Sequence, residues 1–226
     1  DHQGIIVVGD VDVNKTEAQI KKLFGNITNP AHEAPLVVAE VPDNVKPIVV
    51  IDKDKELKNS FVSLMVKHDV YPDSLKQQLP YFIENYAKEA AVSMLNARFT
   101  EAAQQADCPF VMAHAEDDGY LLSKTKDAFS LNVVPKDVDK TAEALKAAIV
   151  VARQAAEYGF TATEYERFKS NVLSELEKNY SNRDKQTNAS FVSLAVDNFL
   201  HNNAMPSIEF TYPLMKQLVP YIPLEA

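Results

Sequence analysis

The sequence predicts an α+β domain, a mainly antiparallel sheet of about five strands with helices packed on one face. Three observations carry that expectation. Leu79 to Ala115 reads as a long amphipathic helix, a break at Cys108-Pro109, and a strand that must return beneath the helix. Short apolar runs recur at Ile5–Val8, Ile48–Ile51, Phe61–Val66, Phe110–Ala113 and Ala128–Val134. From Asp137 onward the pattern changes to the three-and-four spacing of helices.

In chain order, Gly4 to Gly9 encloses Ile5-Ile6-Val7-Val8, the pattern of a strand buried on both faces, and Asp10 and Asp12 follow in a turn. Asn14 to Phe24 places Ile20, Leu23 and Phe24 on one helical face and stops at Gly25, a residue suited to a left-handed C-cap. Asn26 to Val45 holds Pro30, Pro35 and Pro42 without a sustained period. A linker of about 20 residues is long for a compact domain and favours a joint between two lobes.

Pro47–Asp52 and Ser60–Lys67 read as strands, both expected to be central. Tyr71-Pro72-Asp73-Ser74 then breaks the chain into a helix that tolerates Pro80 only near its start and turns Tyr86, Ala90, Ser93, Met94 and Ala97 inward. The next two strands form a hairpin, with Glu116-Asp117-Asp118-Gly119 expected in its loop. Asp137–Tyr158 is the clearest helix, with Val138, Ala142, Leu145, Ile149 and Ala152 on one face and Gly159 past its end. Thr163 and Glu166 fit a capping box for a helix whose inner face is Phe168, Val172 and Leu176. Asn188–His201 and Glu209–Leu218 are helical, and Leu224-Glu225-Ala226 reads as the start of another helix. That ending, with an opening at Asp1-His2, suggests an excised segment.

The net charge of -9, from 32 acidic and 23 basic residues without a basic tract, argues against nucleic acid and anionic membrane surfaces as partners. No apolar run approaches the roughly 20 residues that cross a bilayer, and no signal-peptide pattern opens the sequence. A single cysteine, Cys108, allows no internal disulfide and leaves the compartment open. Without a partner base it reads as a small buried hydrophobe rather than a nucleophile. No glycine-rich phosphate cradle is present. His114-Ala115-Glu116 with Asp117-Asp118 is conceivable as a surface metal site but reads more simply as a solvated strand end, and His32-Glu33 reads as linker.

Several short stretches meet a known family. Gly4 to Asp12, followed by Lys21-Lys22-Leu23-Phe24-Gly25, resembles the closing strand and helix of the first lobe of pitrilysin/insulinase-type zinc peptidases. Phe129 to Val134, a long helix, and Gly159-Phe160-Thr161 with Glu164 and Glu166 resemble the equivalent run of their second, non-catalytic lobe. Asn96-Ala97-Arg98-Phe99, Pro109-Phe110 and Pro213 to Pro220 are similar to forms found in larger bacterial members.

The resemblance implies that residues 1–28 close a catalytic lobe, 29–45 link, and 46–226 form a second lobe truncated at its C-terminus. It implies a zinc-dependent endopeptidase as the parent, with sister lobes on one chain, a peptide or unfolded protein as substrate, and an exported, periplasmic location, the cytoplasm being the alternative. In such enzymes zinc sits on an inverted His-x-x-Glu-His helix, whose glutamate activates the bound water. His2, His32, His68, His114 and His201 never form that motif, so zinc is expected upstream and no catalytic or metal residue in this segment. Active members grip peptide with an arginine and a tyrosine seven residues apart. Ala103 and Phe110 occupy those positions here, so both polar groups are missing. Arg98, late in its helix, is the remaining candidate for meeting a substrate acid, against a plainer interaction with the helix dipole. The competing reading is an inactive binding or assembly module. Truncation also leaves a sheet edge that the opening strand, or a second copy in a dimer, is expected to cover.

Overall fold

In a computed structural model describing residues 3–28, 30–32 and 34–224, six α-helices and a three-stranded antiparallel sheet follow one another. They are α1 (Val13–Phe24), β1 (Val62–Asp69), α2 (Leu79–Ala103), β2 (Phe110–Gly119), β3 (Lys126–Pro135), α3 (Thr141–Tyr158), α4 (Ala162–Ser181), α5 (Asn188–His201) and α6 (Ile208–Leu218). Asp1, His2, Asn29, Glu33, Glu225 and Ala226 lie outside the described residues, and with them the expectations that rest on His2, Glu33 and the final helix start.

The strand order is β1-β3-β2, so β3 is central and β1 is an edge. Three of the expected strands therefore pair, rather than about five. Ile5–Val8 and Pro47–Asp52 join no strand ladder, and Ile48, Val49, Val50 and Ile51 are 69–84% exposed, because no neighbouring element covers them. The hairpin differs too. Glu116 to Gly119 belong to β2, in register with Ser130 to Asp127 of β3, and the connecting loop is residues 120–125.

The sheet packs on α2 and α3 through Leu95, Phe99, Ala113, Ala115, Leu131, Val133, Ala144 and Ala148, all buried. A second cluster, Tyr86, Ala90, Met94, Tyr165, Phe168, Met215 and Val219, joins the first half of α2 to α4 and α6. Helix α2 thus has two inner faces. Leu95 and Phe99 serve the sheet, whereas Ser93 and Ala97, expected inward, are exposed. On α3 the buried stripe is Ala144, Ala148 and Ala155, with Leu145, Ile149 and Ala152 beside it, whereas Val138, expected on the same face, lies in a 3-10 turn before the helix and is 64% exposed.

Local signals act with some offsets. Asp12 caps α1 by accepting from the Lys15 N–H, and Gly25 ends it with φ -66°, not in the left-handed region. Gly159 ends α3 at φ 70°, ψ -161°, a conformation open to glycine. The capping box of α4 is Thr161 with Glu164, not Thr163 with Glu166, since the chain re-enters a helix only two residues after Gly159. Neither α1 nor α5 buries a residue, so Leu23, Phe24, Phe191 and Phe199 remain exposed.

Candidate functional site: the open face and free edge of the sheet

Alternation divides each strand between two environments. On β2, Ala113 and Ala115 turn to the helices, while His114, Glu116 and Asp118 are exposed on the opposite face. Phe110 breaks this parity because a register irregularity between Phe110 and Met112 inserts Val111 as an extra residue, turning the ring inward. It is 1% exposed and meets Phe99 edge-on at 6.5 Å.

The open face is a shallow trough. Ala128 and Ser130 of the central strand form its buried floor, flanked in register by Lys67 and Met65 on β1 and by Asp118 and Glu116 on β2. At one end Ser63 Oγ donates to Asn132 Oδ1 (2.5 Å) and Asn132 Nδ2 donates to Glu116 Oε1 (3.0 Å), a polar tie across all three strands. At the other, the buried Lys126 Nζ lies 2.6 Å from Asp69 and 2.8 Å from Asp43 of the linker. These carboxylates raise the Lys126 pKa, and Lys126 holds Asp43 below its ordinary value. Lys67 Nζ donates to the Pro42 carbonyl and the Val41 N–H to Thr125 Oγ1, so residues 41–43 are pinned beside the trough. Residues 43–47 then border a groove of about 640 Å³ along residues 64–69 of β1. Both β1 and β2 are edges of this sheet, but on β2 the Asn96 side chain already meets the Ala115 N–H and carbonyl, so β1 is the edge that can accept an extended peptide by backbone pairing.

The pattern of the family described as "Peptidase M16 inactive domain" matches residues 1–172. The chain belongs to that family. The M16 chain is also similar in fold to the first half of the periplasmic protease PqqL from Escherichia coli, at TM-score 0.73 and 21% identity over 96% of this chain and 45% of that one. The full PqqL structure gives 0.72 and 22%, with 23% of its length covered. A protein described as a predicted insulinase family protease from Yersinia pestis gives 0.79 and 14%, again over 96% and 45%. The M16 chain thus spans less than half the length of these solved proteins, and no curated protein matches it. The pitrilysin/insulinase-type resemblance holds, and the M16 chain carries the non-catalytic domain of the family.

The three candidate site residues of the M16 chain do not converge. Ala103 and Phe110 come together at the C-terminal end of α2, packed in the core with Phe99. Arg98 lies elsewhere. Its Nε and Nη2 donate to Glu164 Oε1 and Oε2 at 2.6 and 2.9 Å, Nη2 also donates to the Gly159 carbonyl, and the guanidinium lies 4.7 Å from the Phe160 ring centre. The Arg98 hydrogen bond is the main reason the Glu164 pKa falls to about 2, with partial burial opposing it and Thr161 adding to it.

Among the described residues of the M16 chain no group of three or more His, Cys, Asp or Glu could hold a metal ion. His68 Nε2 is instead 3.1 Å from Asp117, which also accepts from Lys88, and His114 stands in register with Asn132. The described residues therefore do not fit a metal centre. Cys108 is buried, its Sγ 3.6 Å from the Phe110 carbonyl. The trough itself was missed in the sequence, where its signal is the alternation Lys126, Ala128, Ser130, Asn132.

Proposed function

We propose that this domain forms a non-catalytic wall of a peptide-binding chamber in a larger zinc-dependent endopeptidase, with the metal and its base on polypeptide upstream of residue 1. One observation carries the reading: the uncovered trough of β1–β3 beside the unpaired edge of β1. An extended peptide adds its backbone to β1 and sets alternate side chains beside Ser63, Met65 and Lys67 on the open face. Peptide contact belongs to this face rather than to Arg98, Ala103 or Phe110, which are engaged in ion pairing or packing.

Residues 1–28 belong to the preceding lobe in this reading, 29–45 to the joint, and 46–226 to the wall. The exposed apolar faces of α1 and α5 support sister lobes packing there. A larger sheet, with Ile48–Ile51 as a further strand, is part of the same reading, supported by the exposure of those four residues. An exported protein is favoured because PqqL is described as periplasmic. Among the described residues no helix is long and apolar enough to cross a membrane.

The test is photolabelling with an extended peptide bearing a reactive group. Labelling of residues 62–69 is expected, without hydrolysis by the 226-residue chain alone. Labelling confined to the helices overturns the reading. The second reading, an inactive assembly module, is favoured by the match to an inactive domain. It predicts the same labelling but no zinc-dependent hydrolysis by the full-length protein.

A further inference from the structure

The helix-covered side of the sheet is not filled. Between α2 and α3, over Leu64 and Phe129, lies a cavity of about 560 Å³ that opens to solvent. That size falls within the ~300–1,000 Å³ of small-molecule pockets. The cavity exists because the helices confront one another through alanines. Ala91 on α2 and Ala152, Ala155 and Ala156 on α3 stop short of the apolar floor, where longer side chains would close the gap. It lies across the sheet from the peptide trough, so it does not depend on the function proposed for that face.

Its charged lining is Lys88, Asp117 and Arg153. Asp117 Oδ1 is already matched, at 2.9 Å from Lys88 Nζ and 3.1 Å from His68 Nε2. Arg153 has no ion-pair partner among the described residues. An apolar floor under a cationic rim complements a molecule with a hydrocarbon body and one anionic head. It does not complement a sugar or nucleotide, whose many hydroxyls would be desolvated without partners.

We propose that this cavity binds an acyl-chain carboxylate, its chain between α2 and α3 and its head group on Arg153. Dodecanoate below its micelle concentration, titrated calorimetrically into the protein, is expected to bind at one site per chain. Ala156→Leu fills the cavity from α3 and abolishes uptake. Ala91→Leu does so from α2, and because both alanines are exposed, either variant tests the site should the other fail to fold. Arg153→Gln weakens dodecanoate about tenfold by removing a charge-assisted hydrogen bond, and leaves dodecanol unchanged. Uptake that survives both leucine variants overturns the proposal, as does an equal response of dodecanol and dodecanoate to Arg153→Gln.

Discussion

Arg98 grips Glu164 with two nitrogens, fastening the second half of α2 to the first turn of α4. The same carboxylate accepts from the Thr161 N–H and hydroxyl, so one side chain both caps a helix and anchors another.

Glu164→Gln should therefore destabilise the fold by about 1–3 kcal/mol, between the cost of losing an exposed pair and that of losing a buried one. Because Glu164 titrates near 2 in the folded chain against an ordinary 4.5, its contribution is full above about pH 4.5 and is lost as pH falls toward 2. Urea midpoints of the two proteins should converge over that window. A constant difference between pH 7 and pH 2.5 would mean that the charge of Glu164 is immaterial.

Phe110 lies in the core and its hydroxylated counterpart would have no place there. Phe110→Ala should cost about 3–5 kcal/mol through the cavity it leaves. Phe110→Tyr should cost about 1–3 kcal/mol for a buried hydroxyl without a partner. Denaturation in urea reads both, and a neutral Phe110→Tyr would show that the ring reaches solvent.

Gly159 has open space around it, yet its backbone angles exclude a side chain. Gly159→Ala should cost roughly 1–3 kcal/mol from strain alone. Gly119→Ala, equally uncrowded but without a positive φ, should change stability little. Equal thermal midpoints for the two variants would remove backbone strain as the reason for the glycine.

Lys126 holds the linker to the sheet through Asp43, while Asp69 completes its charge. Lys126→Met should release residues 41–43, seen as faster hydrogen exchange at Val41, with little change in the melting temperature. High salt should speed the same exchange in the unaltered protein, because both carboxylates are exposed.

The helices were the legible part of this sequence. The sequence marks Asn188–His201 as a helix with the bounds observed, and Pro80 falls in the first turn of α2 as its missing N–H requires. What escaped was information held by distant partners. Thr161 and Thr163 each precede a glutamate by three residues, and only the packing of Arg98 against Glu164 shows which pair is used. Ile48–Ile51 has the composition of a strand, but a strand also needs a neighbour to accept its hydrogen bonds. Phe110 reads as the start of a strand, and nothing local announces that Val111 is the bulge that turns the ring inward. The trough eluded sequence reading because its floor of alanine and serine lacks residues that advertise chemistry.

The bare segment Ile48–Ile51 carries a hazard for the chain on its own. Four consecutive β-branched residues facing solvent are the material of intermolecular cross-β stacking. Pro47 on one flank and Asp52-Lys53-Asp54-Lys55 on the other act as gatekeepers, slowing fibril growth without abolishing its seed. Replacing Val49 with lysine should keep concentrated preparations clear of thioflavin-positive aggregate while the folded sheet stays intact.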